Sequence, residues 1–375
     1  MTRRNSSFAP ESGTVPPVMA DLINESPTGP APAVTGGIAP HRRRPRYAGR
    51  HPRRFADKYK EHAPQLYADT VAKVLASGKT PAGTHRPIMV AEVLGVLAPQ
   101  PGEIVADVTL GYGGHAQQLI PHLQPGGRLL GLDADPLELP KTEARLRALG
   151  YGPEVFTAHR SNFAGLPQVL AAAGLAGADC ILADLGVSSM QLDDPARGFS
   201  VKHDGPLDMR MNPCRGQPAS ALLAKLQPEA LAKLLVANAD EPDAVVLARA
   251  LAGRLFATTQ ALARAIREAL PPLPETEVEL SVRRVFQALR VAVNDEFSAL
   301  DTFLRQLPAC LQPGGRVAIL TFHSGEDRRV KHAFEAGLRD GDYGEIAHEV
   351  IRPTPAERHA NSRSSPAKLR WAHKL

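Results

Sequence analysis

The feature that most constrains this chain is the alternation of short apolar runs with helix-period segments between residues 103 and 183. Glu103–Val108 predicts a strand and Gly114–Leu123 a helix. Arg128–Leu132 with Pro136–Leu149, and Glu154–Ala158 with Phe163–Ala173, repeat the pair, and Ala178–Ala183 predicts a fourth strand. Strands joined through helices at such spacing run parallel, so the chain is predicted to be α/β. The texture then turns purely helical. Glu229–Ala237, Ala244–Leu255 and Thr259–Leu270 carry apolar residues three and four apart, and Pro271, Pro272 and Pro274 stop the last of them. Val285–Leu307 predicts one further helix, Arg316–Phe322 a fifth strand and Glu326–Leu338 a helix. A helix-only stretch between the halves of an α/β sheet predicts an inserted domain. The predicted division is a core of residues 84–196 and 285–375, with an insertion at 197–284.

Residues 1–80 read as an extension. The first forty are rich in Pro, Gly, Ala and Ser and predict disorder. Residues 41–60 crowd Arg42, Arg43, Arg44, Arg46, Arg50, Arg53 and Arg54 around Tyr47 and Phe55. Guanidinium groups pair with phosphate and rings stack on bases, so this run suits RNA; the alternative is a solvated basic linker. A short helix is predicted at Ala63–Ala76. The net charge of +5 leans the same way, towards an anionic partner. Cys180, Cys214 and Cys310 match neither a disulfide framework nor a zinc spacing, so no metal is expected and a reducing, cytoplasmic setting is. Neither a membrane span nor a secretory leader is legible.

The longest polar connection, Asp184 to Met211 (DLGVSSMQLDDPARGFSVKHDGPLDMRM), follows directly on the fourth strand. Open α/β sheets place their chemistry at such strand ends. At the end of the first strand stands Asp107-Val108-Thr109-Leu110-Gly111-Tyr112-Gly113-Gly114-His115. Glycines there let a ligand approach the backbone, and the helix start offers free N–H groups. The spacing is not that of dinucleotide folds. It suits a ligand with a carboxylate and an amine, such as the methionine part of S-adenosylmethionine. Asp133 ends the second strand about 20 residues past Gly111, placed to accept ribose hydroxyls. Asp135, directly before Pro136, is the better helix cap and leaves Asp133 for the ligand. Phe163, after the third strand, has two readings: an adenine contact or plain core.

Taken together these segments resemble the bacterial 16S ribosomal RNA cytosine-N4 methyltransferases of the RsmH or MraW type. The resemblance covers residues 84–375. It rests on HRPIMVAEVL, DVTLGYGGH, LDADP, NFAGL, the 184–213 segment, FQALRVAVNDE, PGGRVAILTFHSGEDRRVK and NSRSSPAKLR, in that order. It implies a Rossmann-like class I S-adenosylmethionine-dependent methyltransferase with an inserted helical domain. It implies S-adenosyl-L-methionine contacts at Gly113, Gly114, His115, Asp133, Phe163, Asp184 and Gln191. It also implies 16S rRNA or the small ribosomal subunit as partner; the oligomeric state is left open, a homodimer being one option. Three segments depart from the family pattern. Gly325 stands where a leucine is usual, Asn238-Ala239-Asp240-Glu241 replaces a tyrosine-glycine pair before the acid, and Leu280–Val285 lacks the usual proline-alanine-threonine.

The implied reaction moves a methyl group to an exocyclic amine whose lone pair is delocalised. Holding the amine in line and offering acceptors to its N–H bonds are the available aids. Asp184, Asp204 and Asp208 are the candidate catalytic residues. Arg197 and Arg210 are candidates to bind phosphate or to pair with these acids. His323, ending the fifth strand, is read as an RNA or cofactor contact or as a hydrogen-bonded structural residue. The basic residues after Glu357 (Arg358, Arg363, Lys368, Arg370, Lys374) are expected to contact RNA or to dock back on the core. Two rivals remain: a cytosine-C5 methyltransferase, which needs a cysteine nucleophile such as Cys214, and a non-catalytic RNA-binding assembly factor.

Overall fold

In the computed structural model, which describes residues 87–375, helix α1 (Val90–Leu97) precedes strand β1 (Ile104–Asp107). Then follow α2 (Gly114–Leu123), β2 (Arg128–Asp133), α3 (Leu139–Ala148), β3 (Phe156–Arg160), α4 (Leu166–Ala172) and β4 (Ala178–Asp184). The helical stretch holds α5 (Ser189–Asp193), α6 (Ala219–Lys225), α7 (Pro228–Ala239), α8 (Ala244–Leu251), α9 (Thr259–Ala269), α10 (Glu275–Asn294) and α11 (Glu296–Cys310). The chain closes with β5 (Leu311–Thr321), α12 (Ser324–Asp340), β6 (Tyr343–Ile346), α13 (Pro355–Ala360) and β7 (Lys368–Lys374). The extension to residue 80, with its arginine run and the helix expected at Ala63–Ala76, lies outside the described residues.

The strands form a seven-stranded sheet in the order β3-β2-β1-β4-β5-β7-β6. Strands β1 to β5 pair in parallel, and β7 runs antiparallel to both β5 and β6. Side chains alternate between two apolar layers. Ala106, Leu130, Ile181 and Ile319 face α4, α11 and α12. Val105, Leu129, Leu182 and Leu320 face α1, α2 and α3. Burial on both faces is why these strands read as continuous apolar runs. The strand order reverses between β1 and β4. Open α/β sheets place their ligand crevice outside the carboxyl ends of the strands at such a reversal.

A third apolar cluster lies in the helical stretch. It joins Phe199, Leu207 and Met209 to α6 through α9 and to Val282, Val285, Phe286 and Leu289 of α10. The single helix expected at Val285–Leu307 is two helices, and the first begins ten residues earlier. Asp295 has φ +52, a left-handed conformation that no α-helix continues through. Its apolar periodicity survives the break, which is why the sequence pattern hid it. Strands β6 and β7 were also invisible as strands. β6 is four residues long, and β7 (KLRWAHK) is so basic that it reads as a tail. Asp327 resolves the contradiction: it accepts from Lys368 Nζ at 2.6 Å and from Arg370 Nε at 2.7 Å.

Candidate active site

The crevice is built from three strand ends. Asp107 closes β1, Asp133 closes β2 and Asp184 closes β4. Thr109 ties the first to the third, its Oγ1 accepting the Asp184 N–H at 2.6 Å. Asp107 is almost wholly buried, and burial raises its carboxyl to about 7, with the like charges of Asp184 and Asp133 adding to the push. Asp184 keeps 29% of its side-chain surface, yet burial raises it to about 7 as well, with Glu326 as the second cause. Burial also raises Asp133, to about 6, against the backbone N–H groups that it accepts. A cluster of carboxylates that resists ionisation is primed for a cationic or hydroxyl-bearing ligand.

The glycine turn is folded by these same acids. Asp133 Oδ2 accepts the Gly111 N–H at 2.8 Å, and its Oδ1 accepts the Asp135 N–H at 2.8 Å. Asp133 is thus already engaged with the backbone, unlike the ligand-only role expected from sequence. Gly111 and Gly113 have φ of +50 and +77, so both positions need glycine. The close neighbours, however, are protein. A Cβ on Gly113 would lie 3.1 Å from Thr142 Cγ2, and one on Gly114 3.3 Å from the Pro87 ring. His115 follows at the start of α2. Its buried Nε2 has no hydrogen-bond partner and lies 3.7 Å from Asp184 Oδ2. Burial lowers this imidazole to about 4, which keeps it neutral at pH 7. Asp184 Oδ1 is a second buried atom without a partner.

Gln191 sits on α5, whose start is a capping box. Ser188 Oγ accepts the Gln191 N–H, and Gln191 Oε1 accepts the Ser188 N–H at 2.9 Å. Its Nε2 donates to Asp135 Oδ2 at 2.9 Å. Arg197 donates to that same oxygen at 2.8 Å and to the carbonyls of Arg210 and Met211 at 3.1 and 2.8 Å. Arg197 is therefore a buried clamp rather than a phosphate ligand. The helix expected from Pro136 begins instead at Leu139 with Glu138 as its cap, so Asp135 holds the turn before it, accepting from Leu137 and Glu138, and also anchors the two loop residues. Phe163 is half-buried and meets the Phe303 ring at 5.6 Å between centroids, so core packing is part of its role.

The three candidate catalytic acids have different partners, Asp184 lying beside His115, Asp204 accepting from Gln260 and Asp208 from Arg210. Asp204 is exposed, and its Oδ1 accepts the Gln260 N–H at 3.2 Å at the start of α9. The Thr258 hydroxyl and that N–H hold its carboxyl below the usual range. Asp208 is locked bidentately by Arg210, with Nε and Nη2 each 2.8 Å from one of its oxygens. Burial pushes the Asp208 carboxyl up, but the bonds from Arg210 outweigh it and hold the carboxyl low. Between them the loop folds hard upon itself. A Cβ on Gly205 would meet the Pro195 carbonyl, and one on Gly198, at φ +70, would meet the Pro206 carbonyl. Met209, buried at φ +64, is strained too. Asn294 steadies it, donating to Met209 O at 2.8 Å and accepting the Met211 N–H at 2.7 Å. Asp107 and Asn294 had no predicted role. Their signals were a strand-ending acid before the glycine turn and an amide directly before a helix break.

His323 caps α12, its Nδ1 accepting the Glu326 N–H at 3.4 Å, so the structural reading holds for it. The basic residues after Glu357 dock on the core where the structure shows their partners: Arg363 on Asp193, Lys368 and Arg370 on Asp327, and Lys374 on the Leu311 carbonyl. The three segments that depart from the family pattern meet in space. Ser324, beside Gly325, donates to Asp240 at 2.8 Å, and Ser281 donates to Glu241 at 2.9 Å.

A strand-end acid cluster around a glycine turn, with a helical stretch set between β4 and β5, fits the resemblance drawn from the sequence. The model of the MraW methylase family matches residues 82–375. The chain belongs to the MraW methylase family. It is 48% identical over 341 residues to the ribosomal RNA small subunit methyltransferase H 2 of Alkaliphilus metalliredigens, covering 88% of this chain and 97% of that one. It is 47% identical over 343 residues to the ribosomal RNA small subunit methyltransferase H 1 of Lachnoclostridium phytofermentans, covering 89% and 93%. Among solved structures it is similar to TrmN from Thermus thermophilus, with a TM-score of 0.36 and 17% identity over 83% of this chain and 53% of that one. As an MraW-family methylase it has the Rossmann-like class I fold and uses S-adenosyl-L-methionine. The residues present fit that cofactor. The unpartnered Asp184 oxygen and the three resisting carboxylates complement its cationic and hydroxyl groups, and the start of α2, which no side chain caps, leaves N–H groups for its carboxylate. Among the described residues there is no cluster able to hold a metal ion, and no helix is long and apolar enough to cross a membrane.

Proposed function

We propose that this chain methylates N4 of a cytidine in 16S ribosomal RNA, as free RNA or within the small subunit. The observation that carries the reading is the buried Asp184 Oδ1, an acceptor without a partner at the end of β4. The relatives' names, which specify the small subunit, support the substrate class.

S-adenosyl-L-methionine supplies an electrophilic methyl group when bound. Gly113, Gly114, His115, Asp133, Phe163 and Gln191 are assigned to holding it, Gln191 by shaping the wall. Asp184 accepts an N–H of the target amine, so that its lone pair turns towards the methyl carbon. The N4–carbon bond forms as the sulfur–carbon bond breaks. The proton released from N4 passes to Asp184, whose raised affinity for protons suits it to the task. His115, neutral and 3.7 Å away, keeps a positive charge from competing for that carboxylate. Asp208 with Arg210 shapes the cytosine pocket, and Asp204 organises the loop from the start of α9.

A C5 mechanism finds less support. Burial pushes the Cys180 and Cys310 thiols up to about 12 and about 11, away from the reactive thiolate. Cys214 is exposed in a turn beyond the acidic loop.

Nucleoside mass spectrometry of 16S rRNA from a deletion strain tests the assignment. An N4-methylated cytidine should vanish, return with the wild-type gene, and stay absent with Asp184→Ala. Its persistence in the deletion strain, or loss of a C5-methylated base instead, would overturn the reading.

A further inference from the structure

The segment between β6 and β7 reaches both flanks of the cofactor crevice. At one flank, Glu357 of α13 accepts the Met89 N–H at 2.7 Å through its Oε1. Met89 is the strained cap of α1, at φ +55, and it is buried. Two residues before it, the Pro87 ring lies against Gly114, where an added Cβ would come within 3.3 Å. Glu357 thus holds the backbone that roofs the glycine turn. At the other flank, Arg363 Nη2 donates to the buried Asp193 at 2.6 Å, and Nη1 donates to the Ser189 carbonyl at 3.4 Å. These are the last and first residues of α5. A helix of five residues does not hold itself in water. Through Gln191, α5 in turn holds Asp135, whose N–H is bonded to Asp133. The Asn361 and Thr354 side chains cap the turns that present Arg363 and Glu357.

We infer that residues 354–364 form a clasp across the cofactor crevice, and that Arg363 and Glu357 are positioning residues that set cofactor affinity without touching the cofactor. This rests on the assignment of Asp133, Gly114 and Gln191 to the cofactor. It gives Arg363 a different task from the RNA contact open to a basic residue. Its charge is spent on α5, whose ends it grips by two bonds of a guanidinium fork.

The test uses the full chain and S-adenosylhomocysteine as the probe, by calorimetry, beside filter binding of 16S rRNA. Arg363→Ala should weaken the probe about tenfold, a loss in keeping with a charge-assisted hydrogen bond. RNA affinity and turnover at saturating cofactor should stay within about twofold. Arg363→Lys should recover part of the probe affinity, because an ammonium can pair with Asp193 but cannot span both ends of α5. Glu357→Ala should act in the same direction from the other flank, and Glu357→Gln, which keeps an acceptor oxygen for Met89, should be close to wild type. If Arg363→Ala fails to fold, the Glu357 pair decides. Unchanged probe affinity in the Ala variants, or a loss confined to RNA binding, overturns the clasp. Asp133→Ala separates the layers. If it abolishes probe binding while the Arg363 and Glu357 variants do not, only the clasp fails; if it too binds normally, the cofactor placement and the clasp fail together.

Discussion

The side chain of Asn294 accepts the Met211 N–H at 2.7 Å, which joins the end of α10 to the end of the acidic loop 83 residues earlier. With its second bond, to Met209 O, it brackets the one residue between them, Arg210, which in turn holds Asp208. The loop that shapes the proposed cytosine pocket is therefore set by the last turn of a helix.

Asn294→Ala should remove both bonds and free a strained segment. Stability should fall by about 1–3 kcal/mol in a urea titration, since two partly buried backbone groups lose their partner. Turnover on RNA should fall by roughly tenfold or more. Affinity for S-adenosylhomocysteine should move little, because the acids at the ends of β1 and β2 are untouched. A variant with wild-type turnover would show that the pocket does not depend on this bracket.

Cys214→Ala should keep methylation within about twofold of wild type, as expected of an exposed surface substitution. Cys214 Sγ has no part in the proposed chemistry, and its backbone N–H is bonded to Asn212 Oδ1 whatever the side chain. Loss of activity in a folded variant would point instead to a covalent C5 mechanism.

Asp107 gives the cofactor-free protein a pH signature. Its folded carboxyl titrates near 7 and its unfolded one near the ordinary 3.8. Between those values the folded chain binds more protons than the unfolded chain, so this group's contribution falls as pH rises from about 4 to about 7. His115, lowered to about 4, acts in the opposite sense, but it does so equally in a variant that retains it. Asp107→Asn should therefore show a shallower decline, or a steeper rise, of Tm between pH 5 and 7 than wild type. Parallel Tm profiles would exclude a buried proton at Asp107.

Gly325 is matched to Phe297. A Cβ at Gly325 would lie 2.6 Å from Phe297 Cζ, and that ring carries Arg329 on its face at 3.7 Å. Gly325→Leu, the residue usual in the family, should cost about 1–3 kcal/mol by overpacking. Adding Phe297→Ala should recover part of the loss. Additive losses in the double variant would show that the two positions do not share the space.

Periodicity carried most of the fold. Strands β1 to β4 and helices α2, α7, α8 and α9 lie where alternation and three-four spacing put them, because each buries a face that its pattern marks. It failed where a residue's role is set by a distant partner. Lys368 and Arg370 look solvated until Asp327 is placed beside them, and the break at Asp295 leaves the apolar spacing intact. The site divides in the same way. The placement of Asp133 and Asp184 at strand ends and of the glycines in a turn is legible, because alternation and glycine spacing announce it. The different partners of Asp204 and Asp208 are not, since Gln260 and Arg210 capture one acid each. Nor is the meeting of Ser324, Asp240, Glu241 and Ser281, four residues from three separate segments.

Strand β7 follows β6 in the chain but lies between β6 and β5 in the sheet. The sheet cannot be assembled by adding strands in the order of synthesis. Until residues 368–374 have left the ribosome, β6 has no strand to pair with and β5 presents a bare edge of unpaired N–H and C=O groups. A nascent chain that has already translated every residue of the crevice is thus still waiting for its fold to close, and translation of β7 sets the earliest moment at which this methylase can mature.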